Sequence, residues 1–186
     1  MNTEHDPKPW QVESRRYVYN RAPYMIMRED TVRLPNGAQI PDYFVFEYPD
    51  WVTVLAVTET GQLVLICQYR HGIGDVHFEL PAGVADPGEA LLDSAKRELL
   101  EETGFGGGEW RYFMKVCANP GTHNNWCHIF LAIGVEYQES QQLDHTEDIQ
   151  VRVISQSETL EVLRSGGVAQ AMHAAPLWRF FAESND

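Results

Sequence analysis

Positive charge is scarce in this chain. Lys and Arg total 14 against 27 Asp and Glu, for a net charge of −13. Phosphate backbones need a basic surface, so nucleic acid is not an expected partner. Anionic membrane surfaces fit equally poorly. Long apolar runs are missing too: no stretch of 18 or more residues is apolar throughout, so no transmembrane helix is expected. Met1 to Trp10 carries Glu4, Asp6 and two prolines but no apolar centre, and does not read as a signal peptide. Cysteine is limited to Cys67, Cys117 and Cys127, an odd count without metal-ligand spacing. Buried free thiols in a reducing cytoplasm are the expectation. Repeats and low-complexity linkers are absent. What remains suffices for a core: 186 residues, 44% apolar and 11% aromatic, which points to one domain with a small appendage. An acidic protein that binds a phosphorylated ligand needs something besides its own field to neutralise it, and a divalent metal is the obvious candidate.

The first 48 residues are rich in β formers. Arg15 to Met27, Thr31 to Leu34 and Asp42 to Tyr48 are extended candidates, and Asn36-Gly37 marks a hairpin. Trp51 to Val57 and Gln62 to Arg70 read as central strands buried on both faces. His77 to Leu80 is a short strand. A helix is expected from Glu89 to Thr103, closed by Gly104. Trp110 to Ala118, His128 to Tyr137 and Ile149 to Ile154 read as strands. Ser157 to Arg164 and Val168 to Glu183 read as helices, the second interrupted by Pro176. The organisation is a mixed α/β domain over residues 49–186 with an N-terminal β extension over 1–48.

Chemistry concentrates between Gly83 and Phe105. Glu98, Glu101 and Glu102 stand at i, i+3 and i+4, on one helical face with Cβ atoms about 5–6 Å apart. Leu91, Leu92, Ala95 and Leu99 take the core face. Stacked like charges repel, and the C-terminal half of a helix disfavours anions. A hard divalent cation would relieve both. Glu-x-x-Glu-Glu alone is compatible with a merely solvated acidic face. The full spacing, G-x5-E-x7-R-E-L-L-E-E-T-G-F from Gly83 through Glu89 and Arg97, fills every fixed position of the Nudix box, which it resembles. Glu89 can reach Arg97 or simply favour a helix start, and the Arg97 fork suits orienting carboxylates.

That resemblance implies a Nudix-type α/β/α sandwich with a mixed central sheet. It also implies Mg²⁺, or alternatively Mn²⁺, as two or three ions held by Glu98, Glu101 and Glu102. Gln68-Tyr69-Arg70 and Phe78-Glu79-Leu80-Pro81-Ala82-Gly83 resemble the ADP-ribose pyrophosphatase and nucleotide-sugar hydrolase branch, whose members dimerise through such an N-terminal extension. The same resemblance makes the Ala82 carbonyl a further metal ligand and turns Arg70 towards the diphosphate. Glu79 would meet base or ribose or brace its loop, and Trp51 would stack on a base or belong to the core. Asn119 to Asn125 departs from the Ser-Pro-Gly loop of that branch. His123 and Asn124 there could bind a sugar or phosphate, or the loop could satisfy itself. Glu147 matches the branch's general base or third-metal ligand, with Glu139, Asp144 and Asp148 as substitutes.

The expected activity is hydrolysis of a nucleoside diphosphate sugar of the ADP-ribose, GDP-mannose or ADP-glucose type by a cytoplasmic homodimer. A non-catalytic nucleotide-sugar sensor is a competing reading, opposed by the intact box. Hydrolysis of NADH or dinucleoside polyphosphates is another.

Overall fold

The structure is a computed structural model that describes residues 6–22 and 24–184. Positions 1–5, inside the Met1–Trp10 stretch, position 23, inside Arg15–Met27, and positions 185–186 lie outside the described residues. The chain divides into two compact units: Met1–Pro49 with Asn119–Asn125, and Asp50–Ala118 with Trp126–Asp186.

In the N-terminal unit, β1 (Gln11–Arg21), β2 (Met25–Arg33) and β3 (Gln39–Glu47) form an antiparallel sheet in the order β1-β2-β3. The extended stretch from Arg15 to Met27 is divided between β1 and β2. Asn36-Gly37 closes the β2–β3 hairpin, with Gly37 at φ 88° in the region open to glycine. Asp30 is buried between Arg15, at 2.9 Å, and Arg28, at 3.1 Å. Burial alone would raise its carboxyl, but the two guanidinium groups hold it below the usual carboxylate range. Residues Asn119–Asn125 dock on β3: the Phe46 N–H donates to the Thr122 carbonyl at 2.7 Å, and the Asn124 N–H to the Phe46 carbonyl at 3.3 Å.

In the larger unit, β4 (Trp51–Thr58) and β5 (Leu63–Arg70) lead to β6 (Asp75–Glu79), β7 (Ala82–Val84) and α1 (Leu91–Thr103). There follow β8 (Phe105–Gly106), β9 (Glu109–Val116), β10 (Cys127–Tyr137), β11 (Ile149–Ile154), α2 (Gln156–Arg164) and α3 (Ala171–Glu183). The main sheet path is β11-β5-β4-β10-β8. β4 and β10 pair in parallel and the other pairs are antiparallel, so the sheet is mixed. Side chains alternate across a strand. Accordingly Val52, Val54 and Ala56 of β4 join Ala95 and Leu99 of α1 in one core, and Leu55 and Val57 join Leu163, Met172, Leu177 and Phe181 of α2 and α3 in the other. Helices on both faces of a two-sided sheet make the expected α/β/α sandwich.

All three helix starts differ from expectation. α1 begins at Leu91, because Glu89 stays outside the helix to meet Ser94 and Arg97. α2 begins one residue early, at Gln156, behind a capping box in which the Ser155 side chain accepts from the Glu158 N–H. α3 starts at Ala171 and runs unbroken through Pro176, whose burial beside Leu177 and Phe181 offsets one lost backbone bond.

Candidate active site

β7 lies beside β4, pairing Ala82 with Thr53 and Gly83 with Val52, and α1 crosses over it. A Cβ at Gly83 would fall 2.1 Å from the Glu98 carboxyl carbon. The Glu98 carboxylate occupies the space a side chain there would take, and Gly83 lies in the strand β7. The Ala82 N–H donates to Glu102 at 2.9 Å. Glu98 and Glu102, one turn apart, are thereby both held against the same three-residue strand.

Arg97 organises the acids around it. It donates to Glu98 at 2.8 Å, to Glu101 at 3.0 Å, and to Glu89 through both Nε and Nη2 at 3.3 and 3.1 Å. The Ser94 hydroxyl donates to Glu89 from the other side at 2.6 Å. Glu89 is held below the usual range by Arg97 and Ser94. Glu98 moves the other way: burial raises it, and Glu101 and Glu147 add to the rise. Glu102, 4% exposed, is pushed up to about 8, first by burial and then by Glu98 and Glu147. Burial is the first cause of both rises, and it acts on Glu98 despite the bond from Arg97.

The amide-rich segment after β10 holds the next acid. The N–H groups of Gln138 and Glu139 donate to the Gly104 carbonyl, the Gln142 N–H to Glu101 and the Gln141 side chain to Glu102, capping the open end of α1. Gly104 is fixed by this contact, since a Cβ there would stand 2.0 Å from the Glu139 carbonyl oxygen. Glu147 closes a turn in which its side chain accepts from the Asp144 N–H at 2.9 Å.

Three hollows share walls in this unit. The first, about 390 Å³, is acidic and lined by Asp86, Arg97, Glu98, Glu101, Glu102, Gln142, Asp144 and Glu147. A second shares Glu102 and Glu147 with it and adds Gln68, Arg70, Ala82 and Asp148. A third, about 400 Å³, shares Arg70 with the second and adds Trp51, His71, Ile73, His77, Glu79 and Gln170. Arg70 thus stands between an acidic end and an aromatic end. Its Nε and Nη2 donate to the buried Glu79 carboxylate at 2.7 and 2.5 Å, which raises the guanidinium pKa further.

The candidate residues Trp51, Arg70, Glu79, Ala82, Arg97, Glu98, Glu101, Glu102 and Glu147 are therefore all found along these hollows. His123 and Asn124 are not. The His123 ring lies against Phe46 and Tyr48, and the Asn124 side chain accepts from the Tyr48 N–H at 3.2 Å, within the N-terminal unit. Among the substitutes for Glu147, Asp144 and Asp148 face the hollows and Glu139 does not line them. Asp86, His77, Gln142 and Gln170 line them without a prior assignment; no motif carries them, and only the fold brings them in.

The donor set suits a hard divalent cation, being all oxygen and short of positive charge. Among the described residues, no three His, Cys, Asp or Glu side chains are gathered closely enough to hold a metal as they stand, and Arg97 is bonded to Glu98 and Glu101.

Residues 47–172 match the NUDIX domain family, and residues 10–46 match the nucleoside diphosphate sugar hydrolase N-terminal domain. The ADP-ribose pyrophosphatase of Bacillus subtilis is 32% identical over 146 residues, covering 78% of each chain. The methanol dehydrogenase activator of Bacillus methanolicus is 30% identical over 139 residues, covering 74% of this chain and 75% of its own. A crystal structure of an ADP compounds hydrolase superposes with a TM-score of 0.82 over 97% of both chains at 19% identity, a likeness of fold.

Proposed function

The chain belongs to the Nudix domain family, and on that footing we propose that it hydrolyses the pyrophosphate bond of nucleoside diphosphate sugars to a nucleoside monophosphate and a sugar phosphate. One observation carries the reading: Arg70 lines both the hollow that holds Trp51 and the middle hollow, which shares Glu102 and Glu147 with the acidic one, so a ligand spanning them would set its diphosphate at the arginine and its base or sugar beside Trp51.

Nudix hydrolases depend on divalent metal. Mg²⁺ or Mn²⁺ held by Glu98, Glu101, Glu102 and the Ala82 carbonyl would supply charge neutralisation and an acidified water. Arg97 keeps Glu98 and Glu101 in place. Arg70, with two of its donors committed to Glu79, has Nη1 left for a phosphate oxygen among the described residues. Glu147 Oε1 accepts the proton of the attacking water, since Oε2 is used by the Asp144 N–H. The water oxygen bonds to one phosphorus as the bridging oxygen leaves with the other.

Partnership rests on the N-terminal unit. β1 is an edge strand with exposed Val12, Tyr17 and Tyr19, suited to pairing with a second copy in a homodimer. Free cysteines fit a cytoplasmic setting.

The test is a hydrolysis panel of ADP-ribose, GDP-mannose, ADP-glucose, NADH and diadenosine polyphosphates, with Mg²⁺ and with chelator. The expected result is Mg²⁺-dependent turnover of a diphosphate sugar above the dinucleotides. Turnover that persists in chelator overturns the reading.

A further inference from the structure

Glu79 is 1% exposed, a carboxylate taken almost wholly out of water. Arg70 reaches it from the solvent side, its own side chain 43% exposed, and Gln68 donates to it at 3.2 Å. The opposite side is closed by His173 of α3, itself 1% exposed. The His173 Nδ1 accepts the Leu80 N–H at 3.3 Å, which places the ring proton on Nε2. Nε2 faces two oxygens: Gln170 Oε1 at 3.1 Å and Glu79 Oε2 at 3.5 Å. One imidazole therefore bonds the backbone after Glu79, gives its Nε2 proton to Gln170, and packs its edge against the carboxylate that the Arg70 fork engages.

We propose that His173 is a positioning residue: from the C-terminal helix it fixes Glu79 from behind, so that Arg70 is held at the wall between the acidic and aromatic hollows, ready for a diphosphate. This deepens the hydrolase reading and rests on it for the identity of the ligand. The placement of Arg70 itself does not depend on that reading. The sequence shows only a histidine on an apolar helix face. Its partners stand more than ninety positions away, at Glu79 and Leu80. A buried carboxylate without a donor behind it turns towards water, and an arginine bound to it in two places turns with it.

Two substitutions separate positioning from mere filling. In His173→Asn the amide oxygen can keep the Leu80 bond, but position 173 no longer presents a donor towards Glu79. In His173→Gln the amide nitrogen can still donate towards Glu79, but the Leu80 bond is lost. The expected result for His173→Asn is a KM about tenfold higher with kcat changed less than threefold, and a near-normal KM for His173→Gln. The NMR signal of the Arg70 Nε–H, identified by its loss in Arg70→Lys, gives a readout free of activity. It is expected to be sharp and slowly exchanging in the wild type and in His173→Gln, and broadened in His173→Asn. Adding His173→Asn to Glu79→Gln should raise KM no further. If His173→Asn does not fold, Gln170→Ala decides instead. It removes the acceptor that aligns Nε2–H from a position lining the aromatic hollow, with KM expected to rise two- to threefold and the same signal to broaden. An unchanged Arg70 signal in whichever of these variants folds, or a KM no higher in His173→Asn than in His173→Gln, overturns the proposal. A wild-type protein that turns over no diphosphate sugar, yet shows the expected Arg70 signals, sinks the hydrolase reading and leaves the positioning role standing.

Discussion

Single residues carry most of the chemistry, and glycine is the most restrictive of them. Gly83→Ala places a methyl group within 2.1 Å of the Glu98 carboxyl carbon. The flexible end of Glu98 gives way before the strand does, so the variant should fold. A carboxylate displaced by about 1 Å costs up to roughly 100-fold in rate. A loss of 10- to 100-fold in kcat/KM with an unchanged melting temperature is expected, and full activity would show that Glu98 need not sit against β7. His173 links structure to pH. Burial lowers its pKa from 6.5 to about 4, outweighing the pull of Glu79. The folded value lies below the unfolded one, so this contribution to stability is complete above pH 6.5 and is lost as pH falls towards 4. The loss is at most roughly 3 kcal/mol. Denaturant unfolding from pH 7.5 to 4 should show the gap between wild type and His173→Leu shrinking by about that amount, and a constant gap would contradict it.

Elements position these residues, and their legibility in the sequence varied with how local their causes are. α1 was readable from an apolar face at helical spacing and a terminal glycine, because both act within a few residues. Its first turn was not: Glu89 leaves the helix for Arg97 and Ser94, and only the folded geometry shows that choice. α3 was expected to break at Pro176, yet burial of Met172, Leu177 and Phe181 keeps it whole. The segment after β10 looked merely acidic and amide-rich. Its amides turn out to cap α1 and thereby hold the loop bearing Glu147. Asn119 to Asn125 read as a ligand loop or a self-satisfied turn, and it bonds Phe46 of β3 through its backbone and Tyr48 through Asn124. The capping box of α2 allows a clean control. Ser155→Ala should cost about 1 kcal/mol in unfolding free energy and leave kcat/KM unchanged. A drop in activity at full stability would tie α2 to the site.

At the scale of the whole molecule, an acidic chain binds an acidic ligand. The net charge of −13 is opposed locally by Arg70, bound to Glu79, and by Arg97, bound to Glu89, Glu98 and Glu101. Among the described residues no helix is long and apolar enough to cross a membrane. If β1 pairs with a second copy, light scattering after size exclusion should give twice the chain mass of 21.2 kDa, and Tyr17→Arg should shift it towards the monomer. A monomeric wild type would leave the exposed face of the N-terminal unit unexplained. The central claim is that Glu98, Glu101 and Glu102 serve metal-dependent cleavage of a diphosphate. It is tested most directly by following a nucleoside diphosphate sugar by ³¹P NMR with wild type and Glu102→Gln. With wild type and Mg²⁺, the paired diphosphate signals should give way to two phosphate monoester signals. With chelator they should persist, and with Glu102→Gln the change should slow by about 100-fold or more. Monoester signals appearing at the wild-type rate in chelator, or with Glu102→Gln, would contradict it.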